Sequence, residues 1–514
     1  MKFKALLFLF LAGYFLQLQA QEGFSLPHNS PSSQQVASSN LLDFLSALES
    51  SSHEMHSLMV LRNGNVIAEG WWKPYSPTGK HTMYSTSKSF TATAVGFAVQ
   101  ENLLSVEDLV IDYFPESLPD SISPNLAALR VEHLLTMSVG HEPEYTTQVV
   151  TSDDWVKTFL SQPIAHVPGS KFMYNTAATY MLAALVERVS GEGLVEFLTP
   201  RLFHPLGISG VDWEVDPKGI ATGGYGLRIK TEDMAKLGQL FLQKGMWQGK
   251  QLISRQWIEA ASSSQIIQDP SASAEKVAAS DWLQGYGYQM WRSRHDSYRA
   301  DGAFGQYILV LPKMDAVIAI TSETSSMQGL IDLVWEHILH AFDGEVSEQD
   351  DQRLKEVLIG LAIQPKEGVD NSIMELSISG NRYKFDNKEL EIIFSDDICE
   401  VILVEKVDTH HLYFGRESWV GGSTERKGPY LVARAKGALE GLAPFQVNGN
   451  YAWEDSDTLI LKLNYTESPH TETFRIVFDG DSAKMTQQSI VNTRANEKPI
   501  PIHGKLILET VNSF

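Results

Sequence analysis

Ser85 and Lys88 stand three residues apart in the run Met83-Tyr84-Ser85-Thr86-Ser87-Lys88-Ser89-Phe90. On a helix that spacing puts a hydroxyl and an amine on one face at adjacent turns. Small and apolar residues follow without interruption from Thr91 to Val99, so the helix is expected to be buried all round, with Ser85 at its start. A lysine facing a dry core loses proton affinity and becomes able to take a proton from a neighbouring hydroxyl. The chemistry this points to is nucleophilic attack by Ser85 with Lys88 as its base. A second Ser-x-x-Lys, Ser273 to Lys276, lies in a polar stretch with no apolar helix behind it and is read as coincidence.

Two further stretches offer complementary groups. In Pro168-Gly169-Ser170-Lys171-Phe172-Met173-Tyr174-Asn175-Thr176, a tyrosine sits on a turn just before an apolar helix, where its phenol either projects into a cleft or closes a core edge. In Tyr298-Arg299-Ala300-Asp301-Gly302-Ala303-Phe304-Gly305-Gln306, glycines at the end of a strand-like run allow a ligand close to the strand edge. A backbone N–H there can meet a developing oxyanion.

The elements that must position these groups follow from periodicity. A first helix is expected from Asn40, with Leu41, Phe44, Leu45 and Leu48 on one face. Two strands flank Asn63-Gly64, and a second pair flanks Pro312 to Asp315, so strands from both ends of the segment can share one antiparallel sheet. Between them, roughly Glu101 to Ala261 reads as helices and loops, an all-α insert beside an α/β sandwich, with a cleft between the two. An acidic stretch from Asp343 to Asp351 marks the end of this unit. Beyond Asn371 come short alternating runs, among them Leu390 to Phe394, Val401 to Val404, Tyr430 to Ala433, Thr458 to Leu463 and Leu506 to Leu508. They suit a small all-β barrel or sandwich, a lipocalin-like barrel being favoured, with no catalytic constellation. The divisions are 1–20, a signal peptide; 21–345, the chemistry-bearing domain; 346–370, a linker; and 371–514, the β-rich domain.

The 514 residues are 43 % hydrophobic and 20 % charged, enough for more than one packed core. A formal charge of −22 disfavours nucleic acid as a partner. Met1-Lys2-Phe3-Lys4, an apolar run to Leu16 and Leu18-Gln19-Ala20 match a secretory signal, so a periplasmic or secreted product without a transmembrane segment is expected. The single cysteine, Cys399, reads as a core residue. No metal or organic cofactor is required, and the oligomeric state is left open.

Taken in this order, the three motifs resemble those of the β-lactamase-related serine hydrolases: class C β-lactamases, D-alanyl-D-alanine carboxypeptidases, β-lactamase-like esterases and 6-aminohexanoate-dimer hydrolase. The resemblance spans roughly Leu41 to Phe342. It includes His133 to Gly140 and Gly224-Tyr225-Gly226-Leu227-Arg228-Ile229-Lys230-Thr231. It implies a β-lactamase/penicillin-binding-protein-like α/β fold, with an antiparallel sheet flanked by helices. Ser85 is the implied nucleophile, Lys88 its base, Tyr174 a second acid/base, and the Ser85 and Ala303 N–H groups the oxyanion hole. Asn175, Tyr225 and Gly302 are the implied substrate contacts.

The chain departs from the family pattern twice. The asparagine usually found two residues after the tyrosine stands one residue early, at Asn175, with Thr176 in its place. The cation of the third motif is replaced by Ala300-Asp301-Gly302, and Arg299, Arg292 and Arg294 are the nearby arginines. Without that cation an exported ester or amide hydrolase is favoured, acting on a small-molecule or peptide-like substrate. A β-lactamase or D,D-peptidase is the alternative, and a silent envelope-binding protein the alternative of another class.

Overall fold

The computed structural model describes residues 24–491 and 500–507. The expected signal peptide and the end of the expected Leu506 to Leu508 strand lie outside the described residues.

Helix α1 (Ser38–Glu49) begins two residues before Asn40 and is followed by β1 (Glu54–Arg62) and β2 (Asn65–Trp71). Asn63 and Gly64 join the strands with φ of 50° and 75°, the left-handed pair a tight hairpin needs. Helix α2 (Ser87–Gln100) carries Lys88, and α3 (Thr176–Ser190) and α4 (Thr231–Leu242) follow. The chain then returns as β3 (Trp291–Arg292), β4 (Tyr298–Gly302), β5 (Gln306–Leu311) and β6 (Ala316–Glu323). These complete a six-stranded sheet in the order β2-β1-β6-β5-β4-β3, antiparallel throughout.

Both faces of this sheet are covered, which explains why its strands read as nearly unbroken apolar runs. Met59, Leu61, Ile308, Val310, Val317 and Ala319 point into the core shared with α2, α3 and α4. Leu58, Val60, Leu309, Leu311, Ile318 and Ile320 point to the opposite core, under α1 and the helical stretch that starts with α5 (Met327–Leu333). The segment expected as a linker carries a helix in its first half. Residues Glu348–Gly360 form helix α6, which buries Leu354 and Leu358 in the second core, because its apolar stripe finds the uncovered edge of β2.

The C-terminal region is a barrel. Strands β7 (Asn381–Phe385), β8 (Lys388–Ser395), β9 (Ile398–Glu405), β10 (Asp408–Arg416), β11 (Val420–Thr424), β12 (Phe445–Trp453), β13 (Thr458–Tyr465), β14 (Thr471–Asp479), β15 (Ser482–Gln488) and β16 (Ile502–Leu506) form one sheet. Nine of them close the ring where β10 meets β12 in a short parallel pairing, Gly415 opposite Asn450, while β11 adds to the same edge of β12. The interior is filled by side chains that include Tyr383, Ile392, Cys399, Phe414, Trp453 and Phe474. Tyr430 to Ala433, expected as a strand, is instead part of the irregular connection between β11 and β12. Its apolar side chains are spent on the first domain: Tyr430 and Ala435 belong to the core around α2.

Candidate active site

Ser85 lies in a single 3-10 turn, Tyr84–Thr86, that runs directly into α2. Ser85 is half-buried at the floor of a cleft of about 790 Å³, and Lys88, one turn on, is 1 % exposed. Lys88 Nζ is 3.0 Å from Ser85 Oγ, 2.6 Å from the Gly224 carbonyl and 3.2 Å from Thr176 Oγ1. Burial pulls the amine down to about 7, against the opposing fields of Asp301 and Glu144. A neutral amine has two N–H donors and one lone pair. With the donors directed at Gly224 O and Thr176 Oγ1, the lone pair is left for the Ser85 hydroxyl. Gly224 must be a glycine, since a Cβ there would lie 2.7 Å from Thr176 Cγ2 and 2.8 Å from Thr176 O.

Tyr174 arrives from the helical insert, one residue before the cap of α3. It lines the same cleft as Ser85, and its ring lies 5.0 Å from Lys88 Nζ and stacks on Trp291. Burial and the nearby Asp301 charge hold its phenol protonated, far above the usual range. The three groups picked from spacing thus converge on one point.

Of the remaining expected contacts, Ala303 and Tyr225 also line the cleft, and Ala303 sits in the β4–β5 turn. Tyr225 is buried, with no hydrogen-bond partner for its hydroxyl among the described residues. Asn175 does not reach the cleft. Its side chain accepts the Ala178 N–H as the cap of α3 and pairs with His141 at 3.0 Å, so the helix start consumes it. Thr176 takes its place beside Lys88. Gly302 is absent from the cleft lining. It lets β4 pass the chain just before Ser85, where a Cβ would meet Met83 O at 2.2 Å.

The nearby arginines are engaged elsewhere. Arg299 is fully buried, paired with Asp301 at 2.8 Å and stacked over Trp282. Arg294 pairs with Asp281 and Asp332, and Arg292 donates to Ser262 O. The second Ser-x-x-Lys is exposed, Ser273 merely capping a short helix.

Three features escaped the sequence reading. Thr176 and the Gly224 carbonyl complete the lysine's cage, and only the Gly223-Gly224 pair hinted at a close approach. The third is the far wall of the cleft, built by Tyr430, Leu431, Val432, Ala433, Arg434 and Ala435 of the β11–β12 connection. Nothing in the periodicity of that connection announces this role.

Comparison with known proteins agrees with the geometry. The sequence profile of the Beta-lactamase family matches residues 52–340. The 6-aminohexanoate-dimer hydrolase of Paenarthrobacter ureafaciens is 26 % identical over 284 residues, 51 % of this chain and 71 % of that one. The D-aminopeptidase of Brucella anthropi is 26 % identical over 164 residues, 30 % of this chain and 31 % of its own length. A solved Bacillus anthracis structure, provisionally assigned as a 6-aminohexanoate-dimer hydrolase, has the same fold. It shares 20 % identity at a TM-score of 0.51, over 63 % of this chain and 89 % of that one. With more than half of its length inside the family profile, the chain belongs to the beta-lactamase family and is a serine hydrolase.

Proposed function

We propose that the protein is an exported hydrolase that cleaves an ester or amide bond through a Ser85 acyl-enzyme. The observation that carries this reading is the 3.0 Å contact between Ser85 Oγ and a Lys88 amine whose proton affinity is lowered to about 7. In the proposed course, Lys88 takes the Ser85 proton as Oγ attacks the carbonyl carbon. Tyr174 hands a proton to the departing alcohol or amine and later draws one from the attacking water. The Ser85 and Ala303 N–H groups hold the tetrahedral oxyanion, a term worth about 3 kcal/mol per donor. Export rests on the lysine-flanked apolar N-terminus.

The names of the relatives favour amide and peptide-like substrates, since one is a 6-aminohexanoate-dimer hydrolase and another a D-aminopeptidase. A β-lactamase or D,D-peptidase activity is disfavoured by Ala300 at the cation position of the third motif, with the adjacent Arg299 buried and tied to Asp301. The test is a panel of p-nitrophenyl esters, short amides, nitrocefin and D-Ala-D-Ala peptides, with fluorophosphonate labelling. Turnover of esters or amides and labelling of wild type but not Ser85→Ala are expected. Equal turnover in Ser85→Ala overturns the mechanism, and an unlabelled, inactive wild type leaves the binding-protein alternative.

A further inference from the structure

We infer that the barrel supplies the cleft with a carboxylate-binding subsite, in which Arg434 engages an acidic group of the substrate remote from the bond broken at Ser85. The inference rests on the hydrolase reading above and names the substrate class that reading leaves open: esters or amides that carry a free carboxylate.

Two charged side chains line the cleft, Glu144 from the helical insert and Arg434 from the β11–β12 connection. The cations of the neighbouring strand region are unavailable, because Arg299, Arg292 and Arg294 each have protein partners. Arg434 is exposed and forms no ion pair among the described residues, whereas Lys436, two residues on, is tied to Asp153. A guanidinium matches a carboxylate with two parallel hydrogen bonds, a geometry an ammonium cannot offer.

The segment that carries Arg434 is held on both sides. The Tyr430 hydroxyl donates to Glu214, and the Leu431 N–H reaches the Tyr84 hydroxyl at 3.3 Å. On the other side Ala435 is buried, the Lys436 N–H donates to Val150 O at 2.9 Å, and the Leu439 N–H donates to Glu214 at 3.0 Å. Arg434 therefore hangs from a backbone fixed to the catalytic domain, so little main-chain ordering remains to be done on binding. In a chain with a formal charge of −22, this isolated cation also opposes the general repulsion of an acidic substrate. Glu144 disfavours a carboxylate at its own wall and so gives the cleft a polarity.

The experiment compares the full-length protein on p-nitrophenyl butyrate and on the mono-p-nitrophenyl ester of glutaric acid, which adds a terminal carboxylate. The readout is the ratio of kcat/KM, acidic over neutral, which cancels any general loss in a variant. Arg434→Gln is expected to lower the ratio by about tenfold, the scale of a charged hydrogen bond. Arg434→Glu should lower it further and Arg434→Lys restore part of it, while added salt lowers it in wild type and Arg434→Lys but not in Arg434→Gln. An unchanged ratio in both Arg434→Gln and Arg434→Glu overturns the subsite while leaving the hydrolase reading intact. If neither ester is turned over and Ser85 resists fluorophosphonate, the hydrolase reading falls, and the subsite with it.

Discussion

His470 Nε2, on the turn between β13 and β14, lies 2.6 Å from the hydroxyl of Tyr84, the residue immediately before Ser85. Tyr84 has φ of 46°, a left-handed conformation that a bulky residue holds only when its surroundings impose it. The imposing groups come largely from the barrel. Tyr430 stacks on the Tyr84 ring, and His470 is itself anchored to Glu323 through Nδ1 at 2.5 Å. Burial raises the Glu323 carboxyl well above the usual carboxylate range and drives the His470 imidazole down to about 3, so both groups are pushed toward their uncharged forms.

Cutting that chain should slow acylation more than it weakens binding. Tyr84→Phe and His470→Leu are each expected to lower kcat by about tenfold with a smaller change in KM, as for a displaced reacting atom. The double variant should lose little more than either single one, because both break the same contact. Stopped-flow acylation rates for the three variants check this, with His470→Gln as the variant expected to recover part of the rate.

The pH dependence follows from Lys88. Its folded-state value, near 7, lies below that of a free lysine, and the proposed base is the neutral form. Activity should therefore be lost as pH falls through about 7 and reach a plateau above it. Of the groups facing the amine, Tyr174 stays neutral, while Asp301 and Glu144 raise its proton affinity. Glu144→Gln should accordingly move the midpoint of the kcat/KM profile to lower pH.

Tyr174→Phe keeps the stacking on Trp291 and removes the proposed proton carrier, so kcat should fall by about 10²- to 10⁴-fold, the range for a lost general acid. Thr176→Ala removes one of three contacts to Lys88 and is expected to cost less, with a shifted pH profile as its signature. Steady-state kinetics on one ester across pH separates the two.

Breaking the buried pair with Arg299→Met leaves Asp301 without its partner and should destabilise the first domain by about 3–5 kcal/mol, measurable by urea denaturation. Gly302→Ala pushes a methyl against Met83 O and is expected to cost about 1–3 kcal/mol, with a loss of activity because the displaced backbone leads into Ser85.

The catalytic core was legible because its signals are local. Three residues set the Ser85–Lys88 geometry, and an unbroken small-residue run forces α2 into the interior. The Asn63-Gly64 hairpin and the alternating barrel strands are equally short-range. Asn175 misled because capping of α3 and substrate contact both select asparagine, and only the distance to His141 distinguishes them. Tyr430 to Ala433 misled because an apolar run that docks on another domain has the composition of a strand. The link from Arg434 to the cleft spans the whole chain, so no window of sequence could contain it.

The Tyr430–Ala435 crossing implies that the two halves cannot be treated as separable modules. Amputation of the barrel would strip a wall from the reaction chamber and leave Tyr430 and Ala435 missing from the first core. A catalytic fragment trimmed at Gly360 should for that reason be a poor surrogate for the intact enzyme.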